Sequence, residues 1–411
     1  MSTEVLVYPF LFIAVFFESF ILVTLLSKPA RDARKRVSGN TTPSVAVIIP
    51  CWNEERTIAG TVETVLALEY PANKLEIVLV NDGSTDGTAQ AMDAFAAHPQ
   101  VTIIHKENGG KHTALNAGIA ATTADIIGCL DADSFVEPDA LKEIVSSFTD
   151  ERVAATTAAM SVHRPQNLLQ HMQNAEYIFG IAVRHTLASV NGIYVTPGPF
   201  SFYRRSVIEK LGGFRHGYQT EDMEMALRIQ RHGYVIENAP RARVYTKAPS
   251  TLFRLVKQRT RWTSGFLRNV LDDYRDLIGN RAHGVLGMLV LPLGVLAIGS
   301  GILLFLVALY TFSRNLSSAI ALREGIPLSY ALLPHGSFDW FYLPTSGLLL
   351  IGIAMVAVSI SLIAYAKRLS RTPGKLGLGL VSYLLFYGFV VPLWLIRATA
   401  DVALGKKRAW R

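Results

Sequence analysis

Long apolar runs occupy the two ends of this chain, and between them short apolar runs alternate with turn and charge signals. Residues 5–26 (VLVYPFLFIAVFFESFILVTLL) carry one charge, Glu18, and are long enough to cross a hydrocarbon layer of ~30 Å. No positive charge precedes them at Met1–Glu4, so the run predicts a retained span and not a cleaved leader. From 44 to 250 the pattern changes. Nearly continuous apolar runs at Ser44–Pro50, Leu75–Asn81, Val101–His105 and Asp125–Asp131 predict strands buried on both faces, with helices beginning near Asn53, Asp86 and Lys111. That alternation predicts a parallel sheet covered by helices, an α/β fold whose ligands gather at the carboxyl ends of the strands.

Two stretches with helical spacing follow, from Leu168 to Val190 and from Leu252 to Val270. The second also carries Arg254, Lys257, Arg259, Arg261 and Arg268, which predicts a helix lying in the membrane interface; packing on the domain core is the competing reading for both. Residues 285–312 and 343–365 are again long enough to span, joined by a polar loop around Arg323, Glu324 and Asp339. The last apolar segment, 376–404, has two readings. It either crosses straight, or breaks at Gly388 and Pro392 into a re-entrant hairpin that keeps the basic tail inside. Glu18, costly inside a span, is open to three: facing a polysaccharide path, pairing with Arg397, or reaching the interface. The organisation so far is a membrane helix and basic flank (1–36), an α/β domain (37–250), an interfacial helix (251–284) and a C-terminal membrane region (285–411).

Composition and charge agree with that division. Half of the 411 residues are hydrophobic and 18% are charged, which excludes a disordered or collagen-like chain. Residues 28–36, 367–375 and 406–411 each carry a net +4, more together than the chain's +8, so the remainder is about −4. These basic residues flank apolar runs instead of spreading over a folded surface, which reads as membrane topology and not as nucleic-acid binding. By the positive-inside rule, the domain after the first span lies in the cytoplasm of a multi-pass plasma-membrane protein. Cys51 and Cys129, both inside apolar strands, read as buried thiols of a reduced compartment, with no disulfide or Cys-rich metal site.

Four polar clusters fall where such a fold would bring them together. Pro50 to Glu54, containing Asn53 and Glu54, closes the first strand, and Asn81 to Gly87, containing Asp82, closes the second. Asp82 there is either a turn residue or an acceptor for a base or ribose. Asp131-Ala132-Asp133 follows the fourth apolar run; the pair suits a hard divalent ion, Mg²⁺ or Mn²⁺, or a helix-capping turn. Thr220-Glu221-Asp222 opens a helix, where Asp222 serves as a dipole-stabilised carboxylate or a general base. Gln258, Arg261 and Trp262 stand at i, i+3 and i+4, setting an amide, a phosphate-pairing guanidinium and an aromatic platform on one helix face.

In order, CWNEE, NDGSTDGT, GGKHTALNAG, DAD, TED and QRTRW resemble the processive membrane glycosyltransferases of family 2, the group of cellulose, chitin, hyaluronan and poly-N-acetylglucosamine synthases. The likeness runs from 44 to about 270, and the C-terminal GKKRAWR is similar to the tail of the poly-N-acetylglucosamine type. It implies a GT-A type, Rossmann-like glycosyltransferase domain with transmembrane α-helices. It implies that Asp82, Asn53 and Glu54 meet the nucleoside, Lys111 the diphosphate, and Asp131 and Asp133 a Mg²⁺ or Mn²⁺ ion, Asp133 foremost. Asp222, beside Glu221, would be the base, with Gln258, Arg261 and Trp262 closing over diphosphate and acceptor. Pro197-Gly198-Pro199-Phe200 takes the place of the family's acceptor-side loop, with Pro197 a departure. The implied partners are a UDP-sugar, N-acetylglucosamine before others, a polysaccharide or glycan acceptor, the lipid bilayer and, left open by the resemblance, a small accessory membrane subunit. The implied reaction inverts the sugar and extends a β-linked, exported polymer. A non-processive transferase with a lipid acceptor, and a transporter or scaffold, are the alternatives.

Overall fold

Residues 3–27, 42–322 and 346–406 are described by the computed structural model; the basic flank 28–36, the loop around Arg323, Glu324 and Asp339, and tail residues 407–411 lie outside them. The chain begins with α1 (Thr3–Leu26) and enters the domain through β1 (Val45–Cys51), α2 (Ile58–Leu66), β2 (Leu75–Asp82), α3 (Thr88–Asp93), β3 (Val101–Lys106), α4 (Lys111–Ala120) and β4 (Ile126–Cys129). All four predicted strands form. The domain continues through β5 (Ser134–Val136), α5 (Ala140–Val145), β6 (Val153–Val162), α6 (Leu168–Ser189), β7 (Ser201–Arg204), α7 (Arg205–Leu211), α8 (Glu221–Arg231) and β8 (Val235–Thr246). Four long helices end it: α9 (Leu252–Arg268), α10 (Leu291–Ala321), α11 (Gly347–Ser370) and α12 (Gly377–Ala403).

The strands make one sheet in the order β3-β2-β1-β4-β7-β6-β8-β5. β1 shows why its apolar run is continuous. Val45, Val47 and Ile49 face the core made with Ile58 and Val62 of α2 and Ile144 of α5. Ala46 and Ile48 face the opposite core, with Leu115 of α4, Ile208 of α7 and Met225 of α8. Both faces of a period-two strand are thus covered. Cys51 and Cys129 are buried and free, and burial raises both thiols.

The expectation of a parallel sheet holds for half of it. β1 runs parallel to β2 and β4, and β2 to β3. β7 is antiparallel to β4 and β6, β5 is antiparallel to β8, and β6 and β8 are parallel. The physical reason is connectivity. A single helical crossover keeps its two strands parallel, but β4 reaches β7 through two strands and the 22-residue α6, so no crossover fixes the direction of β7.

α1, the segment from Leu286 through α10, α11 and α12 are each long and apolar enough to cross a membrane. α1 and α11 dock on the domain through α6, whose Ile178, Ile181 and Ala182 pack with Ile21 of α1 and Leu362, Ile363 and Ala366 of α11, while Leu291 of α10 packs with Leu227 of α8 and Phe266 of α9. Glu18 accepts a hydrogen bond from Ser359 of α11 at 2.8 Å, so its partner is not Arg397. The hairpin reading of 376–404 is overturned, because α12 is one helix through Pro392. The proline ring stands four residues after Gly388, and a glycine there adds no side chain to the crowded turn. Both ends of α12 touch the domain. A Cβ on Gly379 would stand 2.6 Å from the His171 carbonyl of α6, and Arg268 of α9 donates to the Lys406 carbonyl at 2.9 Å. The start of the tail therefore lies against α9.

Candidate active site

The strand ends, the start of α8 and one face of α9 enclose a cavity of about 840 Å³ that continues beneath Gly294, Ala297 and Ile298 of α10. Ten of the eleven residues singled out in the sequence line it: Glu54, Asp82, Lys111, Asp131, Asp133, Glu221, Asp222, Gln258, Arg261 and Trp262. Asn53 is not among the lining residues. Its backbone is left-handed, with φ of 57°, and its Oδ1 accepts from the Thr85 amide at 2.8 Å, tying the β1 loop to the β2 loop.

Asp82, 2% exposed at the end of β2, is held from three sides. Its Oδ1 accepts from Lys106 Nζ at 2.6 Å and the Gly109 amide at 3.0 Å, and its Oδ2 from the Gly110 amide at 2.8 Å. Gly110 has φ of 90°, a conformation that favours glycine, and caps α4 so that Lys111 starts that helix pointing into the cavity. Lys111 Nζ then bonds Asp131 Oδ1 at 2.6 Å and lies 3.1 Å from Glu221 Oε1. Burial works against its charge, yet Asp131, Glu221 and Asp222 hold the ammonium well above its usual range. Gly198 closes over this pair. A Cβ there would stand 2.6 Å from Lys111 Nζ and 2.9 Å from Asp131 Oδ1, so a side chain at 198 would push the ends of this ion pair aside.

Asp133 forms no ion pair with a cation among the described residues. It accepts weakly from Ser134 and Thr246 Oγ atoms at 3.2 and 3.3 Å. Burial, followed by the charges of Asp131 and Glu54, pushes it up to about 7. Burial also raises Glu54, which Thr57 Oγ1 partly offsets by donating at 2.6 Å. Clustered carboxylates that resist ionisation suit a divalent cation, which would remove the repulsion between them. No three His, Cys, Asp or Glu residues among those described are placed to hold a metal by themselves. A pair of carboxylates completed by phosphate oxygens and water is the usual arrangement for Mg²⁺, and Asp131 and Asp133 fit that pattern.

Asp222 sits in the first turn of α8 and accepts from the Met223 amide at 2.8 Å. Burial and then Glu221 push it up to about 6, against the opposing pull of Lys111 and Arg261. Glu221 behaves oppositely: burial disfavours its charge, but Lys111 holds it below its ordinary value. Two adjacent carboxyls are thus driven apart, one fixed as an anion and the other poised near neutrality.

α9 supplies the far wall. Gln258 Oε1 is buried without a hydrogen-bond partner among the described residues, and Arg261 donates to the Gln219 carbonyl at 2.7 Å, next to the left-handed Tyr218 and Gln219. Arg259, read from sequence as part of a basic interfacial face, is instead buried. It bonds Glu176 of α6 at 2.8 Å and lies over Trp262 at 4.4 Å and Tyr177 at 5.5 Å. Only the start of α9 keeps the interfacial character, with Leu252, Phe253, Arg254 and Lys257 exposed. Sequence reasoning also passed over Lys106, whose signal was its place opposite Asp82 in the β2–β3 register. For Glu176, Tyr177 and Arg184, all on α6, nothing in the local pattern marked a site.

Carboxylates at parallel strand ends, a poised carboxyl at a helix start and a Gln-x-x-Arg-Trp helix face across one cavity define a glycosyltransferase of the GT-A, Rossmann-like type. Residues 43–265 match the model of glycosyltransferase like family 2, and the chain belongs to that family. It is 31% identical over 233 residues to poly-beta-1,6-N-acetyl-D-glucosamine synthase of Staphylococcus aureus (strain COL), and 30% identical over the same length to that of Staphylococcus epidermidis. Each match covers 56% of this chain and 56% of the relative, so the chain spans about half the length of the curated relatives it matches. The structure also superposes on a mannosyltransferase, PcManGT from Pyrobaculum calidifontis in complex with GDP-Man and Mn²⁺. The TM-score is 0.60, with 21% identity and 98% coverage of both chains. At that identity the likeness speaks for the fold. The protein is a glycosyltransferase with helices able to cross a membrane.

Proposed function

We propose that the protein transfers N-acetylglucosamine from its UDP-sugar to the growing end of a β-linked polysaccharide, with inversion, and that the polymer is extended processively and exported. The observation that carries this reading is Asp222, a buried carboxyl at about 6 in the same cavity as the cations that would meet a diphosphate. The relatives' printed name supports the choice of sugar. The continuation of the cavity beneath α10 supports a polymer leaving toward the membrane helices.

In this reading Asp222 takes the proton of the acceptor hydroxyl as its oxygen bonds to the anomeric carbon, while the bond from that carbon to the diphosphate breaks on the opposite face. One displacement needs one base and no covalent sugar intermediate. Asp82 and Glu54 meet the nucleoside, and Asn53 supports their two loops. Lys111 and Arg261 pair with the diphosphate. Asp131 and Asp133 would hold Mg²⁺ or Mn²⁺, which would supply charge neutralisation for the leaving group. Gln258 and Trp262 orient the acceptor sugar. The mannosyltransferase neighbour's Mn²⁺ supports a divalent ion without choosing between the two.

Residues 37–250 form the catalytic unit, 251–284 its interface segment, and 1–36 and 285–411 the membrane parts. The catalytic unit faces the cytoplasm. The carbonyl of Arg371, within the basic stretch 367–375, accepts from Arg243 of β8, so that stretch lies on the domain's side. The partners are the bilayer, the UDP-sugar, the glycan and a small accessory membrane subunit. A donor screen over UDP-sugars, followed by digestion of the product with linkage-specific hydrolases, tests the sugar and the linkage. Release of single-sugar products only would overturn processivity.

A further inference from the structure

Among the described residues a second cavity, of about 310 Å³, lies between the end of α7, the end of α8 and the turn that follows α9. It shares no lining residue with the first, and no carboxylate lines it. Its cations are Lys210, Arg215, Arg228 and Arg231. Two are answered from outside the lining, Arg228 by Glu224 at 2.7 Å and Arg231 by Asp276 at 2.9 Å. Both Glu224 oxygens are then taken, because Tyr274 donates to the other at 2.5 Å. Neither Lys210, which donates to the neutral Tyr234 hydroxyl at 3.2 Å, nor Arg215 forms an ion pair among the described residues. The cavity therefore keeps two positive charges.

Arg228 gives a second, independent sign of a ligand. It is 3% exposed, and its two terminal nitrogens are fixed by the carbonyls of Leu211 at 2.5 Å and Gly213 at 2.8 Å and by Glu224. Its Nε is buried with no hydrogen-bond partner among the described residues. A buried N–H in that position is costly unless another acceptor reaches it. The dipole at the end of α8 accounts for a cation there. It does not account for a donor buried without an acceptor.

We infer that this cavity binds a phosphomonoester, with Arg228 Nε donating to a phosphate oxygen and Lys210 and Arg215 supplying the counter-charge. Such a group carries about −1.5 to −2 at neutral pH and offers three acceptor oxygens, which matches two unanswered cations and a fixed N–H. A carboxylate would leave one charge unanswered. A volume of about 310 Å³ is at the small end of ligand sites, about 300–1,000 Å³, so one phosphate group suits it better than an extended polyanion. The rest of the ester is a soluble metabolite or a lipid, and the phosphate chemistry is common to both. The inference uses neither the sugar nor the acceptor proposed above.

The test is the melting temperature of the full chain in phosphatidylcholine nanodiscs, with excess UDP and Mg²⁺ to occupy the transfer cavity. The probes are glucose 6-phosphate, acetate and, in a second set of nanodiscs, phosphatidic acid. A phosphate ester should raise the melting temperature of wild type, and acetate should not. Lys210→Glu with Arg215→Glu should weaken the apparent affinity about tenfold or more, as expected for loss of charge-assisted contacts. Lys74→Glu, an exposed lysine that lines neither cavity, should leave it unchanged. Arg228→Lys keeps the charge, removes Nε and should weaken binding as well; if it does not fold, the double variant decides, since Lys210 and Arg215 are exposed. A response to glucose 6-phosphate assigns the soluble source, and a response to phosphatidic acid alone assigns the lipid. No response to either ester, an equal response to acetate, a response that survives in the double variant, or equal weakening by Lys74→Glu would overturn the inference.

Discussion

Asp222 is the base only if the pH dependence of transfer follows its environment. With the carboxyl at about 6, roughly a tenth of the enzyme is competent at pH 5 and roughly nine-tenths at pH 7. The acid limb of kcat/KM should therefore fall about tenfold per pH unit below 6. Two perturbations should move that limb in opposite directions. Glu221→Gln removes the anion that, after burial, raises Asp222 most, so the limb moves to lower pH. Lys111→Met removes the cation that opposes the rise, so the limb moves to higher pH, alongside a loss of donor affinity. Asp222→Asn should lower turnover by about 10²–10⁴-fold, the usual contribution of a general base, while UDP still binds. The assay is initial-rate transfer from radiolabelled donor between pH 4.5 and 8 at saturating Mn²⁺, so that an ion held at Asp133 would suppress its protonation. A flat profile, near-wild-type turnover of Asp222→Asn, or a Glu221→Gln limb that moves upward would refute the assignment.

Chelation with EDTA should stop transfer, and Mn²⁺ or Mg²⁺ should restore it; activity that persists without metal would remove Asp131 and Asp133 from that role. In EDTA, melting of the full chain followed from pH 4 to 8 should show a loss of stability as Asp222 and Asp133 are forced to ionise. Their folded values, about 6 and about 7, lie above the ordinary carboxylate range, so their stabilising contribution is complete at low pH and disappears as pH rises through those values. Mn²⁺ should reverse the loss. Gly198→Ala should weaken donor binding, because the added Cβ would displace Lys111 Nζ from 2.6 Å, and nucleotide titration reads this directly. Arg259→Met should lower stability in denaturation by leaving the partly buried Glu176 without its cation, by less than the ~3–5 kcal/mol of a fully buried pair, and Arg259→Met with Glu176→Leu should recover most of it.

The carboxylates were legible because they stand at boundaries that the chain itself marks. Asp82, Asp131 and Asp133 each follow an apolar run, and in a sheet buried on both faces the end of such a run is where polar groups first meet solvent. Gln258, Arg261 and Trp262 were legible because the helical period places them on one face. Arg259 was misread for a related reason: the same period groups it with the basic side chains around it, and only Glu176, 83 residues away, shows that it is buried. The Lys106 clamp on Asp82 needed the β2–β3 register, and the direction of β7 needed the path of the chain through β6 and α6.

What the sequence by itself determined is the four apolar helices, the two-faced strands β1 to β4 and the order of the polar clusters, all properties of spacing along the chain. Tertiary structure alone decided three things: that Asp222 and Glu221 part in acidity, that α12 stays whole with both ends against the domain, and that Arg259 is buried against Glu176. Each depends on which distant side chains share a low-dielectric space, and burial and charge pairing act through space regardless of separation along the chain.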